Sequence, residues 1–199
     1  MKASSPIVGI LDYGVGNIFS LQQTLLSLGY IVIIGRSERE LKKASTLFLT
    51  GVGALQFARE NLKKSGMNSF LEQEYLSSSR RFIGICLGMQ LFFDFSEEGM
   101  VEGLGIIPGK IKVIPKNFCH VGWSVVRSPF VASVKAKEKA FYFNHTYYAK
   151  CSPKYIEGSC NFGDMHIPSI VKSKEFIGVQ FHPEKSQSLG KKLLQELIV

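Results

Sequence analysis

No run in this 199-residue chain is long and apolar enough to cross a membrane as a helix. The apolar stretch after Met1-Lys2-Ala3-Ser4-Ser5-Pro6 is only five residues, too short for a secretory signal. Cysteine is sparse. The four thiols, at 86, 119, 151 and 160, form no CxxC pair, which excludes a disulfide framework or a zinc knuckle. A reduced, cytoplasmic setting is expected. The four histidines, at 120, 145, 166 and 182, are as scattered, so neither a metal nor a cofactor is expected. Asp12-Tyr13-Gly14-Val15-Gly16-Asn17 lacks the spacing of a dinucleotide-binding loop; it reads as a loop for contact with a partner. Acidic residues are scarce in one quarter. Residues 101–150 hold two Glu against eight Lys or Arg, Lys135 and Lys137 among them, and supply +6 of the net +8. These charges run through strand-like text with no nucleic-acid motif, which argues against nucleic acid and for a solvated or docking face.

What is present suits one core. A hydrophobic content of 45% and this length predict a single domain over 1–199. Apolar runs at 7–11, 30–34, 46–50 and 81–85 read as buried strands. The pattern Ile18, Leu21, Leu25, Leu28 reads as a helix that Asn17 would cap and Gly29 would end. Residues 54–79 are mostly helical with a break at Gly66, and 87–93 reads as another helix. This alternation predicts an α/β fold: a doubly wound, mostly parallel sheet with helices on both faces. Shorter strands at 110–114, 122–127, 140–143 and 155–157 predict a smaller antiparallel extension. A buried strand at 176–181 and an amphipathic helix at 189–198 close the chain.

The most reactive candidate is Cys86, in Gly84-Ile85-Cys86-Leu87-Gly88. At the end of a parallel strand it would stand at the carboxyl edge of the sheet, on a glycine-relieved turn like a nucleophile elbow. A following helix would lower the thiol pKa, and the N–H of Leu87 would face a developing oxyanion. A buried structural cysteine is the plainer alternative. A thiol nucleophile needs a proton carrier and a group to orient it. His182 and Glu184 would reach Cys86 together if strand 176–181 lay beside strand 81–85, since residues i and i+2 of an extended segment share a face. His145 is the rival base, and His166 reads as loop. Gly51-Val52-Gly53 follows a strand and can present an N–H as a second oxyanion donor, at Val52 or Gly53; an ordinary turn is the alternative.

Taken together, these pieces resemble the class I glutamine amidotransferases of the Cys-His-Glu type. The resemblance runs over essentially the whole chain. The elbow, extended through Met89-Gln90, and Gln180-Phe181-His182-Pro183-Glu184-Lys185-Ser186 carry the broad family. The 12–17 segment, Gly122-Trp123, His145-Thr146-Tyr147 and the short length point to the glutaminase subunits of imidazole glycerol phosphate synthases. The resemblance implies that Cys86, His182 and Glu184 hydrolyse L-glutamine through a thioester. It implies that Gln90 and Glu98 hold the amino-acid end of the substrate, and that His145, Thr146 and Tyr147 line the site. It also implies a (β/α)8-barrel synthase partner, docked as a heterodimer, that receives the ammonia and activates the glutaminase. Asn17, Trp123 and Tyr142 are the candidate docking residues; a core position is the alternative for Trp123. A paralogue feeding a sugar-aminating barrel is the nearest rival, and a stand-alone cysteine hydrolase a further one. Three departures from the family pattern are Thr50 for proline, Val121 for methionine and Phe162 for tyrosine.

Overall fold

A computed structural model describes residues 6–132 and 139–198, with the side chain of Asn117 left out. Lys135 and Lys137 therefore lie outside the described residues. The first half alternates strands Ile7–Leu11 (β1), Ile31–Gly35 (β2), Thr46–Gly51 (β3) and Arg81–Cys86 (β4) with helices. The helices are Ile18–Ser27 (α1), Glu38–Leu41 (α2), Leu55–Lys64 (α3), Met67–Ser77 (α4) and Leu87–Gln90 (α5). Strands then dominate: Phe93–Ser96 (β5), Val101–Glu102 (β6), Ile107–Val113 (β7) and His120–Val125 (β8). After the short helix Pro129–Ala132 (α6) come Ala140–His145 (β9), Tyr147–Cys151 (β10), Ile156–Phe162 (β11), Met165–Ser173 (β12) and Phe176–Val179 (β13). Helix Gln187–Ile198 (α7) follows.

The main sheet has seven strands in the order β11-β12-β13-β4-β3-β1-β2. From β13 to β2 every pair is parallel, while β12 and β11 add on antiparallel. Alternate residues feed two cores. Leu47, Leu49, Phe82 and Phe176 pack with Leu55, Leu62 and Leu71 of α3 and α4. Phe48, Ile83, Ile85 and Val179 pack with Leu21 and Leu25 of α1 and Leu193, Leu194 and Leu197 of α7. Burying each such side chain stabilises by roughly 1.5–3 kcal/mol, so both faces hold the sheet. Beside it lie a four-stranded sheet, β10-β7-β5-β6, and the ribbon β8-β9.

Several expectations change in detail. The helix expected over 87–93 is one turn, Leu87–Gln90, because Phe93 leaves to pair in β5. Asn17 makes no side-chain cap on α1. Gly29, at φ +87°, does end that helix, its N–H bonding the Leu26 carbonyl while the Tyr30 N–H reaches Leu25. His166 is not in a loop but on β12, a nine-residue strand whose apolar run at 167–171 is interrupted by Pro168 and Ser169. The strand expected over 176–181 stops at Val179.

Candidate active site

Registers Gly51↔Cys86 and Val179↔Ile85 bring the ends of β3, β4 and β13 to one edge of the sheet. Cys86 turns the chain there, with φ +53° and ψ −106°. The turn depends on bare backbone. A Cβ on Gly88 would lie 1.8 Å from the Leu49 carbonyl oxygen, and one on Gly84 would lie 2.7 Å from Gly88. Any side chain at either position would push β3 or the elbow aside. With only one helical turn after it, the thiol has little of the macrodipole expected there, because the partial charge of a helix end sums over aligned peptides. Its neighbours matter more. Gln180 Nε2 donates toward Cys86 Sγ at 3.8 Å, and the Asn144 carbonyl lies 4.0 Å from the sulfur.

His182 follows β13 in extended conformation, but Glu184 lies in the 3-10 turn Pro183–Lys185 rather than in a strand. The turn still returns the carboxylate to the ring: His182 Nδ1 donates to Glu184 Oε1 at 2.8 Å. β9 fixes the turn from the side. The His182 N–H bonds the Tyr142 carbonyl at 2.8 Å, the Tyr142 N–H donates to Ser186 Oγ at 3.0 Å, and that hydroxyl donates to the His182 carbonyl at 2.7 Å. Burial opposes charge on the imidazole. The Cys86 side chain and the Glu184 carboxylate together outweigh it, and the His182 pKa is raised to about 10. Glu184 is fully buried behind the ring, and its Oε2 has no hydrogen-bond partner among the described residues.

A cavity of about 220 Å³ opens over the thiol. Val52 and Gly53 form one wall, Cys86, Leu87 and Gln90 the elbow side, and His145, Thr146 and Tyr147 another wall; Glu98 and His182 complete it. Glu98 also accepts the Leu55 N–H at 3.3 Å, filling the place of a cap at the start of α3, and burial raises its pKa. Gly53 has φ +117°, and the strand ahead of it is pinned where Tyr13 donates to the Thr50 carbonyl at 2.9 Å. His145 has no nitrogen left for Cys86: Nδ1 bonds the Tyr147 carbonyl and Nε2 meets His120. Burial pushes its pKa down to about 3.

Asn17, Trp123 and Tyr142 lie outside this cavity. Trp123 is not a core residue; half its surface is exposed and its ring meets that of Tyr142 edge-on at 6.0 Å. Val121 and Val125 are exposed beside it on alternate positions of β8. Residues given no role from the sequence also meet here: Gln180 contacts Cys86, Ser186 holds the turn, and Tyr13 holds β3. The first two flank His182 in the same short motif, which was the available signal. Nothing in the text around Tyr13 announced its contact with Thr50, 37 residues on.

Residues 9–199 match the family model described as glutamine amidotransferase class-I. Among curated proteins, the chain is 40% identical over 193 residues to "Imidazole glycerol phosphate synthase subunit HisH" of Exiguobacterium sibiricum, covering 96% of this chain and 93% of that one. It is 38% identical over 200 residues to the protein of the same description from a Geobacillus species, covering 95% and 94%. Solved structures share the fold at low identity. The crystal structure of a glutamine amidotransferase superposes with TM-score 0.73 at 14% identity, over 96% of this chain and 99% of that one. The structure of PurLQS from Thermotoga maritima gives 0.71 at 15% identity, over 97% of both chains.

Proposed function

The chain belongs to the class-I glutamine amidotransferase family, and from that premise we propose that it is the single-domain glutaminase subunit of an imidazole glycerol phosphate synthase. Family membership makes it a glutamine-hydrolysing enzyme; the residue roles and the partner are our reading. The observation that carries the roles is that Cys86 and His182 both line the 220 Å³ cavity, with Glu184 hydrogen-bonded to the His182 ring.

The raised His182 pKa lets the ring hold the proton that the Cys86 thiol gives up as it attacks. The Cys86 sulfur attacks the side-chain amide carbon of L-glutamine, forming the C–S bond of a tetrahedral oxyanion. The N–H groups of Leu87 and of Val52 or Gly53 stabilise that oxyanion. Collapse breaks the C–N bond as His182 gives its proton to the leaving nitrogen, and ammonia departs. Water then attacks the γ-glutamyl thioester as His182 takes its proton, the C–S bond breaks to release glutamate, and the proton returns to the Cys86 sulfur. Glu184 holds the ring through Nδ1 and balances its charge. Gln90 and Glu98 hold the amino-acid end of the substrate, against a wall of His145, Thr146 and Tyr147.

The ammonia passes to a (β/α)8-barrel synthase subunit. The docking face is the exposed side of β8 and β9, centred on Trp123 and Tyr142, and Asn17 is a further docking residue. An exposed tryptophan flanked by Val121 and Val125 is the composition of an interface anchor.

The test is glutamate release from L-glutamine by the chain alone, with a barrel cyclase subunit, and with that subunit plus its phosphorylated ribulosyl acceptor. Low activity alone and strong activation in the full mixture are expected. Full activity without a partner would replace this reading with an independent hydrolase. Activation only by a sugar-aminating barrel would replace the acceptor.

A further inference from the structure

Two histidines that the proposed chemistry leaves unused form an unbroken hydrogen-bonded chain from the cavity to β8. His145 Nδ1 lies 2.8 Å from the Tyr147 carbonyl oxygen, and His145 Nε2 lies 3.0 Å from His120 Nδ1. His120 Nε2 in turn lies 2.8 Å from Ser124 Oγ. With both rings neutral, the direction of every proton follows from one contact. A carbonyl oxygen only accepts, so His145 carries its hydrogen on Nδ1. A neutral imidazole has one such hydrogen, so His145 Nε2 accepts and His120 Nδ1 donates. His120 Nε2 then accepts, and the Ser124 hydroxyl donates. A second proton on His145 would set two donors against each other across the His120 contact, whereas one on His120 would only turn the Ser124 hydroxyl into an acceptor. Burial disfavours a second proton on either ring, pushing the His120 pKa down to about 4 and that of His145 to about 3. His120 is held in orientation as well, with Phe143 and Phe162 each stacked on it at 4.4 Å.

At its inner end the chain meets a second donor. Gln90 Nε2 donates to the same Tyr147 carbonyl at 3.1 Å and to Gln180 Oε1 at 3.2 Å. Both its amide hydrogens are thus used, and what Gln90 has left to offer a ligand is an acceptor oxygen. We propose that His120 is a positioning residue for the cavity: its Nδ1–H fixes the tautomer and tilt of His145, and through the shared Tyr147 carbonyl it holds Gln90 with its acceptor free for a donor group of the substrate.

The proposal rests on the reading that the cavity takes L-glutamine, so one arm of the test avoids that reading. In ¹⁵N-histidine NMR of the intact chain at neutral pH, both His120 and His145 should be neutral with the hydrogen on Nδ1. An Nε2–H form of either ring overturns the proposal. In the second arm, L-glutamine is titrated into the Cys86→Ala chain by calorimetry, with and without His120→Phe or His120→Asn. Phenylalanine keeps a flat ring in the stack but has no donor; an asparagine N–H stands in for Nδ1–H. His120→Phe should weaken binding about fivefold, the scale of one hydrogen bond, and His120→Asn should recover most of it. A thermal melt confirms that each variant folds. A folded His120→Phe chain that binds like its parent, or a His120→Asn chain as weak as His120→Phe, overturns the proposal. A Cys86→Ala parent that takes up no L-glutamine overturns the functional reading instead, and the tautomers alone then decide the role of His120.

Discussion

His182 and His145 line the same cavity, and burial acts on both rings in the same direction, against the imidazolium. One is nevertheless raised to about 10 and the other lowered to about 3. The partners make the difference. His182 stands between a thiol and a buried carboxylate, whereas His145 stands between a carbonyl and a neutral imidazole. The cavity therefore has one wall built to carry charge and one built to refuse it. In the proposed chemistry proton transfer belongs to the first, and shape to the second.

The sharpest way to break this contrast is Glu184→Gln, which removes the carboxylate and keeps its size. In the assembled enzyme it should lower kcat for glutamate release by about 10³–10⁴-fold, the scale seen when the orienting carboxylate of a triad is neutralised. A loss under tenfold would mean that Glu184 is structural. Trp123→Ala acts on the outer surface of the neutral wall. It should weaken association with the barrel subunit by roughly 1–4 kcal/mol, read by calorimetry, with activity at saturating partner largely kept. An unchanged dissociation constant would move the docking face elsewhere.

Stability against pH offers a third test, because the two sets of histidines pull in opposite directions. His182 has its pKa raised on folding. Its contribution is complete below 6.5 and is lost as pH climbs toward about 10. His120 and His145 have theirs lowered. Their contribution is complete above 6.5 and is lost as pH falls toward about 4 and 3. Each proton corresponds to a slope of about 1.4 kcal/mol per pH unit within its window. The histidine part of the melting curve should peak near 6.5. His182→Asn should flatten its alkaline limb and His120→Phe its acid limb; a limb that survives its substitution would assign that limb to other groups.

Much of the parallel half was legible because its strands are near-continuous apolar runs separated by helical spacing. Cys86 was legible from flanking glycines, and His182 with Glu184 from a short motif. What escaped was set by tertiary contact. Phe93 is apolar enough to continue a helix, yet pairing with Ile107 takes it into β5. Pro168 and Ser169 mask a nine-residue strand at the antiparallel end of the sheet, where the pairing partners are β11 and β13. Glu184 reaches His182 through a tight turn held by Ser186 rather than by strand periodicity. His120 stood in the text as one of four scattered histidines. Only the fold puts it 3.0 Å from His145, 25 residues away.

The backbone at Cys86, φ +53° with ψ −106°, is a conformation that glycine adopts freely and a residue with a Cβ does not. A chain with glycine in that place would relax by about 1–3 kcal/mol and lose the nucleophile proposed above. On the proposed chemistry, robustness and reactivity are thus opposed at a single residue, and attempts to harden this protein against heat will meet their limit at that turn.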